Sequence, residues 1–187
     1  DLIEDYLKLS SAYREAGKME QASEAIEKAR LLCPDDPKVL GECVDLLLEM
    51  AKYSVAVERG SHLAHLLLKQ NEPRRAWEII ERLRPHATGE SSFHLLAAHI
   101  YRRLNSLGMA ARELLDAAEL LKQKKDYRGQ ADVLQLLVEI DPLNLEYRKS
   151  LVDALIVADN RKAAVGAMLG LARAYRDRGL YDLAEAE

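Results

Sequence analysis

Leu9-Ser-Ser-Ala-Tyr13-Arg-Glu-Ala-Gly17-Lys-Met-Glu-Gln-Ala22 reads as a helix, a tight turn and the start of a second helix folded back on the first. Its skeleton returns at Leu171-Ala-Arg-Ala-Tyr175-Arg-Asp-Arg-Gly179-Leu-Tyr-Asp-Leu-Ala184. The copies lie 162 residues apart, three times 54, and 54 is the period of the whole chain. Residues 3–56, 57–110 and 111–164 align without gaps, and 165–187 begin a fourth copy. One column reads Ser10, Ala64, Ala118, Ala172, and another reads Tyr13, Leu67, Leu121, Tyr175. The turn column reads Gly17, Asn71, Lys125, Gly179. A fixed period of this size is the signature of a stacked-repeat architecture, in which each unit is one supersecondary element.

Each unit holds three helical segments, expected near 3–16, 19–32 and 37–50, then 54–69, 73–84 and 91–105, then 109–124, 127–140 and 144–158. The tail adds 161–177 and a helix beginning near Tyr181, about eleven in all. Apolar residues recur at three- and four-residue steps, as in Leu40, Val44, Leu47 and Leu48, and no stretch alternates with period two. Asp36-Pro37 offers an N-cap followed by a first-turn Pro. Asp141-Pro142 separates two helices, because Pro disfavours helical geometry in the residue before it. Short turns force neighbouring helices antiparallel, and amphipathic helices in series bury their faces by stacking. Ala22, Ala56, Ala76, Ala110, Ala164 and Ala184 fall just after turns, where a small side chain lets helices approach closely. The expected fold is therefore all-α: one repeat domain, 1–187, built from antiparallel helix hairpins, with a compact bundle as the alternative.

Composition agrees. Of 187 residues, 49% are hydrophobic and 31% charged, with only 9 Gly and 5 Pro, a mixture that favours helix and is neither disordered nor membrane-spanning. The net charge of −4 gives no reason to expect nucleic acid. Cys33 and Cys43 are expected as buried free thiols among apolar helical positions, which points to a reducing, cytoplasmic setting. The chain opens Asp1-Leu2-Ile3 without an initiator Met, as a fragment of a longer protein or a processed product would.

Tyr6, Leu9, Ser10, Tyr13, Gly17, Met19, Ala22, Ile26, Ala29 and Pro34 stand at the spacing of the tetratricopeptide repeat, and the chain resembles long arrays of that family in bacterial proteins. Motif matches begin near residues 3, 37, 57, 91, 111, 145 and 165, so that steps of 34 and 20 alternate. At each 20-residue step one helix closes one hairpin and opens the next; Gly60, Leu114 and Met168 hold both places. The resemblance implies a right-handed superhelical solenoid, a non-catalytic scaffold that binds a protein or peptide segment in its concave groove. It implies that first helices line that groove: Glu4, Leu7, Ser11, Arg14 and Glu15, then Lys38, Gly41, Asp45, Leu48 and Glu49. Later first helices would add Arg112, Leu115, Glu119, Lys122 and Gln123, then Glu146, Lys149 and Asp153. Chaperone-binding members clamp a C-terminal carboxylate with Lys and Asn. Here Ser11 and Asp45 stand at the Asn place, and an Asp would repel that carboxylate.

Charge is uneven. Residues 1–56 carry twelve acidic and seven basic side chains, net −5. Residues 74–112 carry Arg74, Arg75, Arg82, Arg84, Arg102, Arg103 and Arg112 against Glu78, Glu81 and Glu90, net +4. Guanidinium forks suit carboxylates, so an acidic partner segment is expected on this central zone. The competing account is internal pairing, for example Glu78 with Arg82 at four-residue spacing.

No catalytic site, cofactor or metal is expected. His62 and His65 could share a helix face but lack a further ligand pair, and His94 and His99 are five apart. No phosphate loop, dinucleotide fingerprint, nucleophile elbow or HExxH occurs. Gly166-Ala-Met-Leu-Gly170 is expected to mark close helix packing, and the charges beside it exclude a membrane dimer. The second functional class is self-association through an uncapped array end, which would expose apolar seams. The third is an accessory domain of an enzyme.

Overall fold

The computed structural model describes residues 2–180. Among them lie ten α-helices and no strand: α1 (Leu2–Glu15), α2 (Met19–Leu32), α3 (Pro37–Glu49), α4 (Tyr53–Lys69), α5 (Pro73–Leu83), α6 (Ser91–Arg103), α7 (Leu107–Gln123), α8 (Tyr127–Ile140), α9 (Leu145–Val157) and α10 (Arg161–Asp177). Every expected segment up to 177 is found within two residues of its place. The helix expected from Tyr181, with Ala184, lies outside the described residues.

Seven tight turns have one construction. The residue at the turn takes a left-handed conformation, with φ of 71° at Gly17, 55° at Ala51, 62° at Asn71, 57° at Asn105, 59° at Lys125, 51° at Asp159 and 74° at Gly179. At the first, the Lys18 amide donates to Tyr13 O at 2.8 Å and the Gly17 amide to Arg14 O at 3.0 Å. The same pair of bonds recurs at the other six, for example Ser106 to Tyr101 O at 2.8 Å and Asn160 to Leu155 O at 3.0 Å. These bonds satisfy carbonyls that the helix end leaves without a partner. The left-handed residues fall in two series spaced by 54: 17, 71, 125, 179 and 51, 105, 159.

The remaining turns differ from these. Asp36 and Asn144 cap α3 and α9, each accepting two backbone amides at 2.9–3.2 Å. Glu90 holds the same place before α6 and makes no side-chain cap. It follows a 3-10 turn, Arg84–His86, that carries Pro85.

The chain forms two compact units, 1–88 and 89–187. In the first, sequential helices pack pairwise and α1 also touches α3, so α1 and α3 share a layer opposite α2. Its core holds Ile26, Leu40, Leu67 and Ile80, with Ala22, Ala56 and Ala76 fully buried after their turns, as expected. Ser10 is buried beside Ala22 and donates its hydroxyl to Ala22 O at 3.0 Å, so a Ser is accommodated in a column otherwise Ala. Leu7, expected on the groove face, turns into the core instead. In the second unit α6 to α10 pack in sequence around Leu114, Leu134, Leu137 and Leu151.

Among the described residues no helix packs closely on Gly166 and Gly170. A Cβ on Gly166 would meet nothing within 4 Å, and one on Gly170 would meet only the Arg148 guanidinium, at 3.0 Å. These glycines border a cleft over α9, lined also by Asp132, Gln135 and Asn160. The small residues of α10 leave space there that no helix among the described residues fills.

Candidate functional site

In the first unit α1 and α3 bring their charged side chains onto one surface. Arg14, at the last turn of α1, donates Nε to Glu49 Oε2 at 2.7 Å and Nη2 to Glu49 Oε1, a forked pair. Its Nη1 also stands 3.7 Å from Glu42. The guanidinium hydrogen bond, partly offset by burial, holds the Glu49 carboxyl below its ordinary value. At the other end of the layer Lys38 Nζ donates to Glu4 Oε2 at 3.1 Å, and that bond likewise lowers Glu4. Asp45 accepts from Arg82 of α5. Of the residues expected on the groove face, Glu4 and Arg14 of α1 are thus paired with Lys38 and Glu49 of α3.

Internal pairing takes much of the central arginine zone, though not in the expected way. Arg82 pairs with Asp45 rather than Glu78, because an inter-helix carboxylate stands within reach. Arg75 pairs with Glu72 and Arg84 with Glu81, both three residues away on the chain. Arg102 lies 4.0 Å from Glu139. Arg74 and Arg112 have no side-chain partner among the described residues. The zone crosses the division of the chain: Arg74, Arg75, Arg82 and Arg84 belong to the first unit and Arg102, Arg103 and Arg112 to the second. Of the later candidates, Glu119 accepts from Gln123 at 3.2 Å, Lys149 is 3.8 Å from Glu146 and 5.7 Å from the centre of the Tyr175 ring, and Lys122 edges a shallow depression with Asp153.

One arrangement was not foreseen. His94 Nδ1 of α6 stands 2.8 Å from Glu113 Oε2 of α7, and Glu113 is only 3% exposed. Asp116, one turn along α7, brings a third ligand atom within 4.8 Å of the other two. Chain spacing could not reveal it, because the residues meet only through the register of two helices. His62 Nε2 is 3.0 Å from Asp35, a single exposed contact. Cys33 and Cys43 are free, as expected. Cys43 is buried, and burial, reinforced by the nearby Glu27 carboxylate, pushes its thiol up to about 11. Cys33, expected buried within a helix, is instead half-buried at the C-cap that ends α2.

Comparison with known proteins places the fold. Residues 6–36 match the model of the tetratricopeptide repeat. Among solved structures, BtubC (BKLC) from P. vanneervenii is 18% identical over 90% of this chain and 85% of that one, with a TM-score of 0.50. A thermophilic tetratricopeptide protein of Thermus thermophilus is 18% identical over 82% and 99%, with a TM-score of 0.31. MamA, residue 41 to its end, from Desulfovibrio magneticus RS-1 is 17% identical over 95% and 97%, with a TM-score of 0.33. No curated protein matches the chain in sequence. No helix among the described residues is long and apolar enough to cross a membrane.

Proposed function

We propose that the chain, whose residues 6–36 match the tetratricopeptide repeat, is a tetratricopeptide-repeat protein and a non-catalytic scaffold holding an acidic segment of a protein partner on its arginine-bearing helices. The observation that carries this reading is the state of those arginines. Arg74 and Arg112 are without side-chain partners among the described residues, and neither is buried. Arg75, Arg82 and Arg102 are held only in ion pairs open to solvent. Exposed pairs contribute about 1 kcal/mol or less, so a partner carboxylate can exchange into them. Recognition of an extended or helical segment by a preformed helical surface would follow.

Affinity capture from a lysate, compared with a variant carrying Arg74→Glu, Arg75→Glu, Arg102→Glu and Arg103→Glu, tests this. A partner retained by the parent and lost by the variant, with circular dichroism unchanged, is the expected result. An unchanged set of partners would sink the reading.

Self-association is the second reading, favoured by the second unit. Ile156, Val157, Val165 and Leu169 of α9 and α10 are each more than half exposed. Exposed apolar side chains mark contact surfaces where they form one patch. Sedimentation of the parent against Val165→Glu with Leu169→Glu distinguishes it: a dimer that becomes monomeric supports self-association, and a monomeric parent removes it.

A further inference from the structure

The α6–α7 hairpin carries a ligand set that scaffolding does not use. We propose that His94, Glu113 and Asp116 bind a divalent transition-metal ion of the zinc class and thereby staple α6 to α7. Glu113 and Asp116 are three residues apart on α7 and so share a face, while His94 reaches them from α6. The three ligand atoms lie within 4.8 Å of one another. Two ligand atoms on one tetrahedral zinc stand about 3.3 Å apart, given bond lengths near 2.0–2.2 Å. His94 Nδ1 and Glu113 Oε2, at 2.8 Å, need only open slightly to admit the ion. The exposed Asp116 can close from the solvent side. Three protein ligands leave the fourth position to water.

Charge argues the same way. Glu113 puts a carboxylate where almost no water reaches it, and a second carboxylate stands beside it. A divalent cation between them neutralises both. An imidazole among only three ligands selects against magnesium and calcium, which prefer more oxygens. A mere His94–Glu113 contact would give Asp116 no part, so Asp116 discriminates between the two accounts.

The full chain, stripped with EDTA and dialysed, is titrated with zinc alone at neutral pH by calorimetry. The expected result is one ion per chain, a rise in the thermal midpoint, and no competition from excess magnesium. Asp116→Asn changes an exposed side chain and keeps the fold. His94→Asn keeps an amide near the place of Nδ1 as a donor to Glu113 while removing the ligand. Each variant is expected to lose at least about tenfold in zinc affinity, the effect that losing even an outer partner has on a metal site. Absence of zinc binding in the parent, zinc affinity unchanged in Asp116→Asn, or displacement by magnesium would each overturn the proposal.

Discussion

Arg59 and Glu113 occupy one column of the repeat, 54 residues apart, and the two units treat that column in opposite ways. In the second unit the column holds a buried carboxylate met by His94 from the neighbouring helix. In the first it holds a cation whose Nε is buried with no hydrogen-bond partner. The place of His94 in the first unit is Leu40, fully buried and apolar, so Arg59 has no facing ligand there. Backbone and packing are therefore copied between the units, while the polar chemistry in the helix interfaces is particular to each. What repeats is the scaffold, and what differs is where a specific property resides.

The largest expected effect breaks the second half of this comparison. His94→Ala leaves Glu113 buried without its imidazole and should cost on the order of 3 kcal/mol in urea unfolding, since removing one member of a buried pair exposes the other's desolvation cost. Replacing both members by Leu should recover most of that loss. Arg59→Met tests the first half. It removes an unsatisfied buried donor while keeping the aliphatic stem, and should stabilise the chain by about 1 kcal/mol.

What the units share can be sharpened at the turns. Ala51 and Lys125 stand in the left-handed conformation that Gly17 and Gly179 adopt freely. Ala51→Gly and Lys125→Gly should each raise stability by about 1 kcal/mol in urea unfolding, additively, because the two turns are far apart in sequence and share no partner.

The smallest effect concerns Cys43. The folded chain holds its proton more tightly than the unfolded chain does, since the thiol is raised from 9.0 to about 11. The Cys43 contribution to stability is therefore complete below pH 9 and is lost as pH rises towards 11. Cys43→Ala should flatten that part of the alkaline decline, read by thermal unfolding from about pH 8 upward. In the native chain, iodoacetamide should label half-buried Cys33 well before Cys43.

The fold was legible because its determinants are local. The column Gly17, Asn71, Lys125, Gly179 marks turns by recurrence even where Lys125 alone would suggest none. The cap at Asp36 lies beside the helix it starts. The site was legible only in part. Arg14 and Asp45 do share a surface, but their pairing with Glu49 and Arg82 depends on which helices face one another. The Glu113–His94 contact was hidden for the same reason: a Glu amid the Leu and Ala of α7 reads as a solvent position until α6 is laid against it. Gly166 and Gly170 show that small residues permit close packing without themselves naming the helix that supplies it.

The common turn geometry has a genetic consequence. Asn105 and Asp159 leave their helices at the same left-handed angle and with the same hydrogen bonds. Unequal recombination between two such points would splice helix to helix without disturbing either backbone. The gene could lengthen or shorten in whole modules, each junction already compatible with folding, while the interiors of the copies drifted apart in charge.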